Sequence, residues 1–404
     1  MRAVMQPGRA SGSVTIPGSK SVAHRLLIAA ALSDSTAAVQ SCPDNEDVAA
    51  TADCLRALGA SVTRAGDTVT VTGIRPAASG AALRTLPCRE SGSTLRFLLP
   101  LCLTDGIPTR FTGSGRLFAR PLSAFEDLCR GGGFDWVQAN DGLTVCGHLR
   151  PGTFTIPGDV SSQFVTGLLF ALPRLGGDSV IRLTTAPVSA SYIDLTLDAL
   201  SLCGVRIDRP DERTLRVPGG QRFRAPRTMR VPGDESAAAF FGALNVLGGK
   251  VDMRGLDPAA KQGDRVFRQA FDACRAGCPT VSLRDCPDLG PVLMVVGALL
   301  HGIRLTDTAR LRYKESDRGA VMAQELRKCG VTVAVTGDGI TVPGGQLRAP
   351  SVPFDAHDDH RVAMALGVLC TVTGGEIDGA EAVAKSLPEF WEMMKRLGID
   401  VTLI

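Results

Sequence analysis

The chain has 404 residues, of which 44% are hydrophobic and 21% charged, and its net charge is +3 at pH 7. That length holds two or three ordinary domains with a large core. The near balance of charge excludes a protein that gathers nucleic acid by net attraction.

The first element sets a pattern that the rest of the chain repeats. Ile16-Pro17-Gly18-Ser19-Lys20-Ser21-Val22-Ala23-His24-Arg25 reads as a turn followed by an apolar helix over 23–32. Pro17 and Gly18 punctuate the chain, and Ser19 or Ser21 can cap the helix. A helix start carries unpaired N–H groups and a partial positive charge. With Lys20, Arg25 and two hydroxyls beside it, the place suits a phosphate. A second helix over 48–58 stops at Gly59, and strands over 60–64 and 68–72 close on Gly73.

The same order returns five times. Glu90-Ser91-Gly92-Ser93-Thr94-Leu95-Arg96 opens the second unit, with a further helix over 122–130 and a strand over 144–146. Ile156-Pro157-Gly158-Asp159-Val160-Ser161-Ser162-Gln163 opens the third, followed by a helix over 193–202 and a strand over 215–217. Val231-Pro232-Gly233-Asp234-Glu235-Ser236 opens the fourth, nearly copying the third, and Asp159 and Asp234 read as helix caps. Cys286-Pro287-Asp288-Leu289-Gly290-Pro291 opens the fifth, with a second helix over 318–329 and a strand over 340–342. His357-Asp358-Asp359-His360-Arg361 opens the sixth, and a helix over 388–397 and a strand end the chain.

The period is roughly 55 to 75 residues, too long for a solenoid repeat, so each copy is a compact α/β unit. Three copies before Val231 and three after it predict two pseudo-symmetric domains. The first helix of each unit is apolar almost all round, which places it inside its domain, while its start is polar. Two such domains facing each other would enclose a cleft lined by positive helix ends, a site for a multiply anionic substrate.

The twelve cysteines are scattered and many lie in apolar runs, which fits buried thiols of a reducing compartment. Their spacing offers no zinc site, so no metal is expected. Residues 1–10 lack the apolar core of a secretory signal, and the longest apolar runs are too short to span a bilayer. The expectation is a cytoplasmic enzyme with no membrane or nucleic-acid partner.

Cations recur at matching points of the units. Arg96 follows the second start, Arg120 precedes Pro121, Lys314 and Arg318 flank Glu315, Arg361 follows His360, and Lys385 precedes Ser386. Guanidinium forks suit carboxylate and phosphate. Two acids, Asp288 and Glu315, stand among them, and paired acids in a cationic site can move protons.

Taken together, Gly18-Ser19-Lys20-Ser21 with Arg25, Ser91-Gly92-Ser93-Thr94-Leu95-Arg96, Arg120-Pro121, the run from Asp159 to Gln163, Tyr313-Lys314-Glu315-Ser316-Asp317-Arg318 and Asp359-His360-Arg361-Val362-Ala363-Met364 resemble the 5-enolpyruvylshikimate-3-phosphate synthase family over essentially the whole chain. The resemblance implies an α/β enolpyruvyl transferase fold of two domains, each of three βαβαββ units with the helices inside, an inside-out α/β barrel. It implies that residues 1–18 and 232–404 form one domain and 19–231 the other, with the active site in the cleft between them.

The implied reaction transfers the enolpyruvyl group of phosphoenolpyruvate to the 5-hydroxyl of shikimate 3-phosphate through a tetrahedral intermediate, releasing phosphate. The implied enzyme is a monomer that needs no cofactor. Carried over by position, Lys20, Ser21, Arg25, Ser161, Ser162, Gln163, Ser189, Asp288 and Lys314 would hold shikimate 3-phosphate. Lys20, Gly92, Arg120, Gln163, Arg318, Arg361 and Lys385 would hold phosphoenolpyruvate. Asp288 resembles the base for the 5-hydroxyl and Glu315 the acid that protonates the methylene carbon, with Lys20 and Lys385 as further catalytic groups. Arg310 stands where the family often has Asn, and Glu90 and Ser91 where Asn and Ala are frequent. The related UDP-N-acetylglucosamine enolpyruvyl transferases differ: they have Lys-Asn where this chain has Lys20-Ser21, and a reactive Cys in the loop that here covers 112–121 without one.

Overall fold

Helices that are apolar on every face must be buried, and the helices that open the repeated units are. The structure, a computed structural model, describes residues 1–75 and 83–404. Contacts divide it into two units: Gly18–Pro232, and Met1–Pro17 together with Gly233–Ile404. The unit Gly18–Pro232 contains helices α1 (Lys20–Ala31), α2 (Glu46–Ala57), α3 (Gly92–Cys102), α4 (Ser123–Gly132), α5 (Ser162–Ala171) and α6 (Ala190–Leu202). The other contains α7 (Glu235–Val246), α8 (Phe267–Ala276), α9 (Gly290–Leu299), α10 (Arg318–Lys328), α11 (His360–Thr373) and α12 (Phe390–Arg396). In α9 every residue from Gly290 to Ala298 is buried, and in α11 every residue from His360 to Thr371. Each unit has its own core: Phe97, Phe125, Phe164 and Phe170 pack in one, and Phe240, Phe241, Phe390 and Trp391 in the other.

The repeat is clearest around α5. Thr153–Ile156 pairs parallel with Ser179–Leu183, which pairs antiparallel with Thr214–Val217, which pairs with Asp208–Asp211. A parallel pair needs a long crossover, which α5 supplies, while α6 leads to the closing hairpin. The strands carry alternating patterns suited to a sheet with one covered face. Over Thr68–Thr72, for example, Val69 and Val71 are buried between half-buried threonines.

At the two passages between units the chain exchanges opening strands. Ser11–Thr15 precedes α1 but pairs parallel with Lys250–Arg254, the strand after α7. Thr228–Arg230 precedes α7 but pairs parallel with Thr36–Gln40, the strand after α1. The two Pro-Gly turns, Pro17-Gly18 and Pro232-Gly233, are where the chain leaves one unit for the other. Among the described residues, five sheets have four strands, and the pair Ser11–Thr15 with Lys250–Arg254 stands as the sixth. Arg2–Met5 lies between Gly375–Asp378 and Val401–Leu403, antiparallel to both.

Several local expectations are corrected. Ser19 occupies the N-cap position of α1, but its hydroxyl makes no capping bond there. Asp234 caps α7 as expected, accepting from the N–H groups of Ser236 and Ala237, whereas Asp159 does not cap α5. Ser161 takes that place, because it stands directly before the first helical residue and accepts from the Gln163 N–H. α4 ends on Gly133, which takes φ 68° and ψ 32°. α5 runs into a 3-10 turn over Leu172–Arg174 and closes on extended Leu175. The strands Ser11–Thr15 and Thr36–Gln40 and the helix α8 carry no strong punctuation and were not legible in the sequence.

Candidate active site

In the unit Gly18–Pro232 two buried arginines, Arg25 and Arg96, donate to neutral groups. Arg25 is buried on α1 one turn past Lys20. Its Nε donates to Thr196 Oγ1 at 2.8 Å, Nη1 to the Ser21 carbonyl at 2.6 Å, and Nη2 to the Tyr192 carbonyl at 3.0 Å. The Phe97 ring lies 4.9 Å from the guanidinium carbon. Burial without a carboxylate partner lowers the Arg25 pKa to about 10. Arg96, also buried, donates to Gln163 Oε1 at 3.0 Å and the Pro121 carbonyl at 2.9 Å. Gln163 in turn donates to Ser93 Oγ at 3.0 Å. Lys20 has a carboxylate at close range, with Nζ 2.7 Å from Asp47 Oδ2.

Gly92 begins α3 against this cluster. A Cβ there would stand 2.6 Å from Arg96 Nη1 and 3.1 Å from Arg120 Nη1, so a side chain would push these guanidinium groups from the helix start. Ser189, buried at the start of α6, holds a left-handed backbone at φ 53°.

In the other unit the cations are laced with carboxylates. Arg318, at the start of α10, is 1% exposed. Its Nε donates to Asp359 Oδ2 at 2.8 Å, Nη1 to Asp288 Oδ1 at 2.8 Å, and Nη2 to Glu315 Oε2 at 2.8 Å. Burial works against that charge, but Asp359, Glu315 and Asp288 outweigh it and hold the Arg318 pKa above its ordinary value. Lys314 donates to Asp288 Oδ1 at 3.0 Å, and Arg361 Nη2 lies 3.7 Å from Asp288 Oδ2. Burial lowers the Lys314 pKa, and the attraction of Asp288 only partly offsets it. Lys385, at the end of the 3-10 turn Ala380–Lys385, reaches Asp358 Oδ1 at 2.8 Å and the Asp358 carbonyl at 2.6 Å.

The sequence-predicted residues thus fall into two groups. Lys20, Ser21, Arg25, Gly92, Arg120, Ser161, Ser162, Gln163 and Ser189 belong to one unit, at or near the starts of α1, α3, α5 and α6. Asp288, Lys314, Glu315, Arg318, Arg361 and Lys385 belong to the other, at the starts of α9, α10 and α11 and the end of the turn before α12. Arg310 lies nearby, donating to the Arg284 carbonyl at 3.4 Å and repelling the Lys314 charge. Sequence reasoning missed Asp359 as the main partner of Arg318. It also missed Asp47 as the partner of Lys20, and the Thr196 and Thr166 hydroxyls that frame Arg25. Asp359 is detectable as the cap of α11, since it accepts from the Arg361 N–H at 2.9 Å, but no spacing rule ties it to an arginine 41 residues away.

The architecture is that of the enolpyruvyl transferases. An EPSP synthase from Acinetobacter baumannii superposes with a TM-score of 0.78 over 100% of both chains at 24% identity. The enolpyruvyl transferase NikO from Streptomyces tendae gives 0.78 over 99% of this chain and 98% of its own, at 18% identity. A family model described as EPSP synthase (3-phosphoshikimate 1-carboxyvinyltransferase) matches residues 4–394. The 3-phosphoshikimate 1-carboxyvinyltransferase of Clostridium kluyveri is 36% identical over 98% of this chain and 97% of its own. That of Clostridium beijerinckii is 37% identical over 97% and 96%. The chain belongs to the EPSP synthase family, and its activity is that of a 3-phosphoshikimate 1-carboxyvinyltransferase in the shikimate pathway. No helix among the described residues is long and apolar enough to cross a membrane.

Proposed function

We propose that the two groups of residues act on one substrate pair, with the roles divided by how their charges are held. Arg25, Lys20 and Ser21, with Ser161, Ser162 and Ser189, bind shikimate 3-phosphate, whose phosphate meets Arg25 among hydroxyl and carbonyl groups. Gln163 touches both substrates. Gly92, Arg120, Arg318, Arg361 and Lys385 bind phosphoenolpyruvate, and Lys314 steadies the acceptor.

Asp288 takes the proton from the 5-hydroxyl as its oxygen bonds to the substituted carbon of the enol. Glu315 delivers a proton to the methylene carbon, giving the tetrahedral intermediate. Loss of that methyl proton to a base and departure of phosphate from the same carbon restore the double bond. Lys20 and Lys385 stabilise the charge that develops on phosphate and carboxylate. The protein works in this reading as a cytoplasmic monomer without a cofactor, which sedimentation of the purified chain checks.

The observation that carries the reading is that both acids, Asp288 and Glu315, are held by the one buried Arg318 guanidinium. Two carboxylates fixed on a shared cation are positioned for separate proton transfers at neighbouring atoms. The test is phosphate release from phosphoenolpyruvate with shikimate 3-phosphate, beside a parallel reaction with UDP-N-acetylglucosamine. Release with the first acceptor alone is expected, and release with the second alone would overturn the acceptor. Lys20→Ala and Glu315→Gln should fold and lose turnover by about a hundredfold or more.

A further inference from the structure

Glu325 is a fully buried carboxylate on α10 that the reaction does not use. Burying such a charge is costly unless it is paired and hydrogen-bonded. Every partner recorded for it lies in its own helix or in the segment leading to α11. Lys328 Nζ is 2.6 Å from Oε2 and also donates to the Pro353 carbonyl at 2.8 Å. The Asp355 N–H donates to Oε2 at 2.9 Å, and His357 Nε2 lies 3.1 Å from Oε1.

The segment so gripped is strained. His357 and Asp358 are consecutive non-glycine residues in the left-handed region, at φ 51° and 53°. Such a conformation is costly for a residue with a Cβ and persists only where surrounding contacts impose it. The Asp355 side chain closes the turn by accepting from the His357 N–H at 2.7 Å. The next two residues carry the site: Asp358 holds Lys385, and Asp359 holds Arg318 and caps α11 at Arg361.

We propose that Glu325 is a positioning residue for the phosphoenolpyruvate side of the site. By clamping residues 355–357 it keeps the doubly left-handed turn that sets Asp358 against Lys385 and Asp359 against Arg318 and Arg361. The proposal rests on the reading of Lys385, Arg318 and Arg361 as phosphoenolpyruvate ligands.

The test uses the full chain and steady-state kinetics with each substrate varied in turn. Wild type and Lys385→Ala come first. If Lys385→Ala leaves KM for phosphoenolpyruvate unchanged, the ligand assignment fails, and with it the basis of this proposal. If that KM rises, Glu325→Gln is informative. It is expected to raise KM for phosphoenolpyruvate about tenfold while KM for shikimate 3-phosphate stays within about twofold. In the Lys385→Ala background the same substitution should add less than it does alone, because one of the contacts it positions is already gone. Equal changes in both KM values, a fall in kcat alone, or full additivity with Lys385→Ala would overturn it. Should Glu325→Gln fail to fold, His357→Asn decides. Asn tolerates the left-handed backbone but loses the ring contact to Glu325. A selective rise of about threefold in the phosphoenolpyruvate KM supports the clamp, and an unchanged value refutes it.

Discussion

The two units bury arginines in opposite ways. Arg25 sits among hydroxyls, backbone carbonyls and the Phe97 ring, and its pKa is lowered to about 10. Arg318 sits among three carboxylates that hold its charge firmly. Both are 1% exposed, so burial alone does not separate them. The difference lies in what each leaves for a ligand. A cation held by neutral dipoles offers its whole attraction to an anion, whereas a cation shared with carboxylates also fixes the acids around it while it meets a ligand. The first arrangement suits binding of a phosphate, and the second suits holding acids for proton transfer beside a bound anion.

This contrast is broken most directly by removing each arginine. Arg318→Met should cost about 3–5 kcal/mol of stability, because Asp288, Glu315 and fully buried Asp359 are left facing one another. Arg25→Met should change stability by no more than about 1 kcal/mol. Its hydroxyl partners remain satisfied, since Thr166 and Thr196 lie 2.8 Å apart and Thr196 also donates to the Tyr192 carbonyl. Binding of shikimate 3-phosphate should nevertheless be lost in Arg25→Met. Urea unfolding and calorimetric titration of both variants check this, and equal stability losses would remove the distinction.

A smaller effect tests convergence at the start of α3. Gly92→Ala pushes a methyl group toward Arg96 and Arg120, the first of which Gln163 and the Pro121 carbonyl hold in place. KM for phosphoenolpyruvate should rise about tenfold with KM for shikimate 3-phosphate nearly unchanged. An unaltered phosphoenolpyruvate KM would show that the ligand does not approach this helix start.

Much of this was legible because the repeat is written in punctuation and polarity. Helix starts at Lys20, Gly92, Ser162 and His360 announce themselves through caps and turns, and Lys20, Arg96 and Arg361 stand within a turn of three of them. Pairings between distant segments were not legible. Nothing local links Asp359 to Arg318, Thr196 to Arg25, or Glu325 to His357, because such contacts arise only when separate helices pack. The strand exchange is hidden for the same reason. Ser11–Thr15 and Thr228–Arg230 each precede one helix in sequence while pairing beside another.

The pH response sharpens the comparison further. Burial lowers the Lys314 pKa, so its positive charge is lost at a lower pH than for an ordinary lysine as the solution becomes alkaline. If Lys314 steadies the acceptor as a cation, kcat/KM for shikimate 3-phosphate should fall on the alkaline side before pH reaches about 10.4. Lys314→Arg, which keeps its charge, should move that limb upward. An alkaline limb that does not move would assign it to another group.

The smallest expected effect concerns His24, the residue before Arg25. Its ring is fully buried and its Nδ1 lies 2.7 Å from Thr51 Oγ1, which continues to Thr94 at 2.7 Å and from there to Ser91 at 2.8 Å. Burial, with repulsion from Lys20 and Arg25, lowers its pKa well below the ordinary value, so the folded chain keeps it neutral. Its unfolded form binds a proton as pH falls through about 6.5, and the folded form does not. Below that pH the unfolded state therefore binds more protons, and folding stability must decline with falling pH until the folded-state pKa is reached. The slope from this one group is at most about 1.4 kcal/mol per pH unit. His24→Asn should be less stable at pH 8 and should flatten the decline between pH 6.5 and 5. Urea midpoints across that range measure both, and a wild-type curve with the same slope as the variant would mean that His24 is charged in the folded protein. A charged His24 would also place a third cation between Lys20 and Arg25, and the start of α1 would then draw its attraction for phosphate from the histidine as well.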